Sequence, residues 1–343
     1  MSKILIIAGT RPEIIKISSL SNYLSSNILF TGQHFDKEMS EFFFTLIKEQ
    51  NLIRLESSNY EVGEHEGFIN DIKRKLLEIG PSSVLVQGDT NTTLYGALAA
   101  KSLGIKINYI ESGMRSRDIN QIEERNRIIV SGLADLNFCN HIINKENLLS
   151  ENINERKIHI SGSTVYSVLY ENNLLNQQKN DIKDKFILLT LHRPENVDHE
   201  EKLMDLLNSI NLIGEKVIFI IHPRVQKSIE KKHLESFKNI HIQNPKNYFE
   251  FINLIKNSMF VISDSGGIQE ESAILGIPLL IPREFTERPE MLNKFNLLVK
   301  SSEQVLKESN KLINGDSEIQ KIDKNELLYG KSEVIKNIAE RLI

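Results

Sequence analysis

Apolar residues in this chain gather into short runs, separated by longer polar stretches with helical spacing. In the first half the runs fall at Ile4–Ala8, 28–30, 84–87, 107–110, 136–139 and 158–161. In the second half they fall at 186–190, 217–221, 240–243, 260–263, 279–281 and 297–299. The runs are continuous rather than alternating, the pattern of strands buried on both faces. Between the first two, Ile14, Ile17, Leu20 and Tyr23 have the spacing of the buried face of a helix. Such alternation of strand and helix predicts parallel sheets with crossover helices. The polar segment 171–184, rich in Asn, Gln and Lys, reads as a linker. The predicted fold class is therefore α/β, with two Rossmann-like, doubly wound domains facing a cleft. The expected domains are residues 1–170 and 171–325, with a last helix at 326–343 packing back on the first. Open parallel sheets bind ligands at the carboxyl ends of their strands, so the residues just after each run carry the candidate chemistry.

Length and composition narrow the function classes. At 343 residues the chain suits two domains of ordinary size. A 40% apolar and 26% charged content is globular. The net charge of −4 gives no broad basic field, which removes nonspecific grip on nucleic acid. The single cysteine, Cys139, excludes a disulfide framework and a cysteine metal cluster. The first apolar run is too short for a signal peptide, and no apolar stretch reaches the ~18–20 residues that span a bilayer. A cytoplasmic protein that does not enter the membrane is expected.

The first strand runs into Gly9-Thr10-Arg11-Pro12-Glu13. Thr10 and Glu13 have capping-box spacing, and Pro12 suits a first helical turn. Arg11 and Lys16 lie beside the helix N-terminus, where backbone N–H groups attract an anion. No Walker-type loop is present and no G-x-G-x-x-G follows a strand, so nicotinamide and flavin cofactors lose support. Asp89 opens another helix, as a charge complementing the helix dipole or as a functional acid. Glu111 ends the next strand, where an acid costs desolvation unless it is paired or used. The charged run from Arg115 to Arg127 includes Glu123, and spacing alone does not separate solvated from functional members.

In the second half, His192 and Arg193 follow one strand, and His222 and Arg224 the next. Two strand-end His/Arg groups favour an anionic ligand, and no HExxH or tight His/Asp cluster points to a metal. Ser265, Gly266 and Gly267 then open a helix expected to end near Gly276. Glycines permit close backbone approach, while the helix start supplies N–H groups and dipole, together a phosphate site. Glu271, one turn in, suits a ribose hydroxyl. The loop 283–290 reads equally as a solvated turn or a ligand contact.

Taken in order, GTRPEIIK (9–16), TGQH (31–34), QGDTNTT (87–93), ESGMRS (111–116), EERNR (123–127), LHRPENVD (191–198), HPR (222–224), DSGGIQEE (264–271) and TERPE (286–290) resemble the non-hydrolysing UDP-N-acetylglucosamine 2-epimerase family. The resemblance covers nearly the whole chain. It implies a glycosyltransferase-B-like pair of domains, no added redox cofactor, a UDP-sugar as partner, a homodimer, and a supply of N-acetylmannosamine units to surface polysaccharide. It further implies that UDP is eliminated across C1–C2 to a glycal and then re-added, with the proton returning to the opposite face. By matching motifs, Asp89, Glu111 and Glu123 resemble the catalytic acids, with His192 as their partner at the phosphate or sugar end. Arg11, Lys16, Ser265, Gly266 and Gly267 resemble the nucleotide and phosphate contacts. Glu271 would hold ribose, Phe251 would line the uracil pocket, and Arg288 would meet sugar or phosphate. His34 and Arg127, inside matching motifs, join the substrate-binding set.

The chain also departs from the family pattern. Ser112, Met114 and Ile122 stand where Ala, Leu and Pro are usual. Residues 65–69 lack the Gln of the Gly-Glu-Gln-Thr segment that helps bacterial members form a regulatory substrate site. The modified-sugar alternative keeps the chemistry but uses another UDP-2-acetamido sugar, such as a diacetamido uronate or a dideoxy sugar. A hydrolysing 2-epimerase, a retaining glycosyltransferase and a nucleotide-sugar sensor without turnover are further readings. The GTRPE start argues against the first of these, and the carboxylate set against the second.

Overall fold

Each sheet has apolar side chains on both faces, which is why its strands read as unbroken runs. In the computed structural model, which describes residues 4–32, 52–55, 65–175, 185–229, 236–320, 329–330 and 333–342, the chain divides into two units. One is Met1–Asn172 with Leu328–Ile343, and the other is Asn173–Leu327.

The strands of the first unit are β1 Ile4–Ala8, β2 Asn27–Phe30, β3 Leu52–Arg54, β4 Ser83–Gln87, β5 Lys106–Ile110, β6 Leu136–Cys139 and β7 Ile158–Ile160. Among the described residues they form one parallel sheet in the order β3-β2-β1-β4-β5-β6-β7. Its helices are α1 Arg11–Leu24, α2 His65–Ile79, α3 Asn91–Ser102, α4 Ile122–Leu133, α5 Ile142–Ser150 and α6 Thr164–Glu171. Leu5, Ile7, Val84, Val86, Ile107 and Tyr109 pack with Phe68, Ile72 and Ala97 on one face. Ile4, Ile6, Ile28, Leu85 and Phe138 pack with Ile14, Ile17 and Leu20 on the other.

The second unit holds β8 Ile187–Thr190, β9 Val217–Ile220, β10 Ile240–Gln243, β11 Val261–Ser263, β12 Leu279–Ile281 and β13 Asn296–Leu298. These pair in parallel in the order β10-β9-β8-β11-β12-β13. Helices α7 Pro194–Val197, α8 Glu200–Asn211, α9 Pro223–Ser228, α10 Tyr248–Asn257, α11 Gly266–Leu275 and α12 Ser302–Asn314 connect them. The last described helix, α13 Val334–Leu342, belongs with the first unit and packs on α1 and α6 through Val334, Ile335 and Ile338. No helix among the described residues is long and apolar enough to cross a membrane.

Each of the twelve apolar runs contributes a strand, and α11 ends on a left-handed Gly276 (φ 68°). Two details differ from the sequence expectation. The short edge strand β3 has only Leu52 and Ile53 as apolar residues and carries no run to announce it. Tyr23 is 58% exposed rather than buried. The buried stripe of α1 passes from Leu20 to Leu24, which packs on the core in its place. The expected start of the last helix at 326–328 and the linker residues 176–184 lie outside the described residues, as does His34.

Candidate active site

Both sheets reverse their strand order once, and such a switch point opens a crevice at the carboxyl ends of the two central strands. In the first unit these strands are β1 and β4, followed by the turns Gly9–Thr10 and Gly88–Thr90. The turns touch. A side chain at Gly9 would begin 2.0 Å from Thr92 Oγ1 and 2.7 Å from Thr31 Oγ1, so only glycine fits.

Glu111 follows β5 with φ +63°, a conformation that costs a non-glycine residue about 1–3 kcal/mol. It is 4% exposed. Lys16 Nζ donates to its Oε1 at 2.6 Å, and Gln87 Nε2 donates to its Oε2. Lys16 therefore neutralises a buried acid. Asp89, partly exposed, pairs with Arg127 Nη1, and its carbonyl accepts from Asn126 Nδ2 at 2.9 Å. Arg127 is buried and pairs again with Glu124 at 2.9 Å.

The charged run after β5 thus separates into roles. Glu124 accepts from the backbone N–H groups of Ser116 and Arg117, both at 2.9 Å. Burial pulls its carboxyl upward, but those N–H groups and Arg127 outweigh it and hold the group below the usual range. Arg115 makes a bidentate pair with Glu151 at 2.7 and 2.6 Å. Both residues fix the loop. Glu123, one position from Glu124, is half-exposed at the first turn of α4, and its side chain makes no hydrogen bond among the described residues.

Glu13 was legible only as a helix cap, yet it is a fully enclosed carboxylate. Its Oε2 accepts from Gly9 N at 2.6 Å and Thr10 N at 3.0 Å, while its Oε1 accepts from Thr90 Oγ1 at 2.6 Å. Burial raises its pKa, against the pull of these donors, and nearby Asp89 adds to the rise. Two N–H groups at the entry to this helix, those of Gly9 and Thr10, are therefore taken by the protein's own acid. Arg11 sits half-exposed in the first turn of the same helix.

In the second unit the switch point lies between β8 and β11. His192 follows the first strand and Asp264 the second. Asp264 has no exposed surface. It accepts from His192 N, Arg193 N and Asn196 Nδ2 at 3.0–3.2 Å, and lies 3.1 Å from His192 Nδ1. Burial raises the Asp264 carboxyl, but His192, Asn196 and the Arg193 N–H outweigh it and lower the pKa overall. The contact through Nδ1 leaves Nε2 as the other nitrogen of the ring. The His222 ring lies 5.6 Å away, centroid to centroid.

Ser265 caps α11, whose N-terminus provides the N–H groups and dipole that favour an anion. The two glycines differ. A side chain at Gly266 would begin 2.2 Å from Glu287 Oε1, whereas at Gly267 the nearest atom is Ser265 Oγ at 3.9 Å. Gly267 is thus the one with room for a ligand. Arg288 is buried, donating to Gly266 O at 3.1 Å and pairing with Glu270 at 2.8 Å. Thr286 Oγ1 donates to Gln269 Oε1 at 2.6 Å. The loop 283–290 is therefore folded onto α11 rather than solvated. Glu271 stands in the second turn of α11 beside Tyr248, whose enclosed phenol is pushed well above its usual pKa by burial and then by Glu271. Phe251, half-buried, lies one turn further along α10, which packs on α11.

The structure thus groups Lys16, Asp89, Glu111 and Arg127 at one switch point, and His192, Ser265, Gly267, Glu271 and Arg288 at the other. Sequence reasoning missed Glu13, Gln87, Asp264 and Tyr248. The signal for Gln87 and Asp264 was a polar residue at the end of an apolar run. For Glu13 a sufficient local explanation hid a second role.

Comparisons with known proteins bear on the family and the fold. A family model described as UDP-N-acetylglucosamine 2-epimerase matches residues 18–343. The UDP-N-acetylglucosamine 2-epimerase of Methanococcus maripaludis is 40% identical over 317 residues, 85% of this chain and 86% of that protein. The UDP-2,3-diacetamido-2,3-dideoxy-D-glucuronate 2-epimerase of Pseudomonas aeruginosa is 34% identical, covering 99% of both chains. The crystal structure of the Methanocaldococcus jannaschii UDP-GlcNAc 2-epimerase in complex with UDP-GlcNAc and UDP matches with a TM-score of 0.84. It is 35% identical, with 99% of each chain covered. The fold is that of the glycosyltransferase-B-like epimerases.

Proposed function

Since the chain belongs to the UDP-N-acetylglucosamine 2-epimerase family, we propose that it interconverts UDP-GlcNAc and UDP-ManNAc by anti elimination of UDP to 2-acetamidoglucal and re-addition. The observation that carries this reading is the pair of carboxylates, Asp89 and Glu111, brought to one switch point, each with its own cation.

The chemistry explains why such a pair is needed. The C2 proton is carried by the carbon that itself bears the amide nitrogen, with no carbonyl next to that carbon, and is too weakly acidic for simple removal. Elimination couples its departure to cleavage of C1–O. A base takes the proton, the C–H electrons form the C1=C2 bond, and the C1–O pair leaves on the β-phosphate of UDP. The reverse addition returns oxygen to C1 and a proton to the other face of C2. Proton transfer on two faces calls for more than one acid–base group, and Asp89, Glu111 and Glu123 are assigned to it. The leaving pyrophosphate needs fixed donors. His192, Ser265, the α11 N-terminus at Gly266 and Gly267, Arg288 and Arg11 are assigned there. Glu271 is assigned to ribose and Phe251 to uracil. Lys16 is paired with Glu111 and Arg127 with Asp89. His34 completes the substrate-binding set on motif resemblance. The same reading carries a cytoplasmic homodimer that feeds surface polysaccharide.

Substitution tests the assignment. Asp89→Asn and Glu111→Gln are each expected to lower kcat by about 10²-fold or more while calorimetric UDP binding persists. Full activity in both variants overturns it. One observation favours a second reading: the 34% identity to the diacetamido-glucuronate epimerase spans 99% of the chain. There the elimination is unchanged and the sugar differs. Turnover of that UDP-uronate with none of UDP-GlcNAc would establish it.

A further inference from the structure

Glu13 bridges two turns. One carboxylate oxygen takes Gly9 N and Thr10 N after β1, at 2.6 and 3.0 Å, and the other takes Thr90 Oγ1 after β4, at 2.6 Å. The second oxygen also lies 3.4 Å from Thr93 Oγ1, whose hydroxyl donates to Gln87 O at 2.7 Å. Gln87 Nε2 donates to Glu111, and Glu111 is paired with Lys16, one turn along α1 from Glu13. The contacts close into a ring: Glu13, Thr93, Gln87, Glu111, Lys16 and back along α1. Gly88 sits inside it in a left-handed conformation (φ +76°), with Glu111 Oε2 and Glu13 Oε1 3.8 and 4.0 Å from where a side chain would begin. Asp89 is the next residue, between Gly88 and Thr90.

We infer that Glu13 is a positioning residue for the epimerisation: by clasping the turn after β1 to the turn after β4, it sets the placement of Asp89 and, through Gln87, of Glu111. The inference rests on the function proposed above. A capping role would need only the bonds to Gly9 and Thr10, which a free helix end also makes. The bond to Thr90 crosses to a turn 77 positions away and has no part in capping. A misplacement near 1 Å costs an enzyme about 10²-fold in rate, so a residue that fixes a catalytic turn is felt without touching substrate.

Three substitutions separate the roles. In Glu13→Gln the amide oxygen takes the Gly9 and Thr10 N–H groups, its NH2 faces the two threonine hydroxyls, and those rotate to accept, so the clasp survives. Glu13→Asp is one methylene too short to hold both turns, and Glu13→Ala removes the clasp. With UDP-GlcNAc, kcat per UDP-binding site is expected to fall about tenfold or more in the Ala and Asp variants and to stay within about threefold in the Gln variant. KM is expected to stay within about twofold throughout. Amide hydrogen exchange at residues 88–90 should speed up in the Ala and Asp variants and not in Gln, a readout that holds whichever sugar is the substrate. Unchanged kcat per site and unchanged exchange in folded Asp and Ala variants overturn the inference. So does a Gln variant as inactive as Ala with its exchange unchanged, which would make Glu13 an acid–base group. If Ala fails to fold, the Gln–Asp comparison decides. If the wild type itself turns over no UDP-sugar, the functional reading fails while the exchange data still judge the clasp.

Discussion

Arg127 holds two acids with one guanidinium, and its burial makes the arrangement costly to disturb. Glu124 is almost wholly enclosed, so removing its cation leaves a buried charge that keeps the Ser116 and Arg117 donors but loses its ion pair. Breaking such a pair from one side costs about 3–5 kcal/mol. Arg127→Met is therefore expected to lower the urea midpoint substantially, and Arg127→Lys to recover part of it, since an ammonium lacks the fork that reaches both Glu124 and Asp89. An unchanged midpoint in Arg127→Met would show the pair to be dispensable. Asp264 gives a prediction in pH. Its pKa is lowered on folding below the ordinary value of an aspartate, so the stability it adds is full above that ordinary value and is lost as pH falls through the folded value. Asp264→Asn should accordingly be less stable than wild type near neutrality, with the two converging in acid. Parallel curves across that range would contradict the assignment. Neither Asp264 nor Glu13 could be read from the sequence at this level, because the meaning of each lies in donors from distant positions: residue 264 reaches residues 192–196, and residue 13 reaches residue 90.

Among elements, the joint between α1 and α3 is the sharpest constraint. Gly9 lies where the two helix starts meet, and its missing side chain is the reason they can. Gly9→Ala would place a carbon 2.0 Å from Thr92 Oγ1 and 2.7 Å from Thr92 Cβ. Overpacking of this kind costs about 1–3 kcal/mol or more. The variant should show a lower melting temperature, and adding Thr92→Ala should restore only part, because Cβ remains. Wild-type stability in Gly9→Ala would mean the turns can part. The strands were legible because burial on both faces leaves a continuous apolar signature. The edge strand β3 was not, since three residues at a sheet border need no such run. Tyr23 was misread because helix spacing allows either the third or the fourth residue after Leu20 to continue the stripe, and packing chose Leu24.

For the whole molecule, the two units share one logic: a parallel sheet, a single reversal of strand order, and polar side chains gathered at the carboxyl ends beside it. Acids with their own cations gather in the first unit, and a helix start with His192 and buried Arg288 in the second. Ordered motifs made the family readable, and topology accounts for why those motifs fall where they do. The most direct test is proton NMR of the purified protein with UDP-GlcNAc in deuterium oxide. Elimination and re-addition predict a second UDP-sugar of manno configuration and loss of the C2 proton signal from both epimers. Free N-acetylmannosamine and UDP accumulating as end products, or a manno product that keeps its C2 proton, would contradict it.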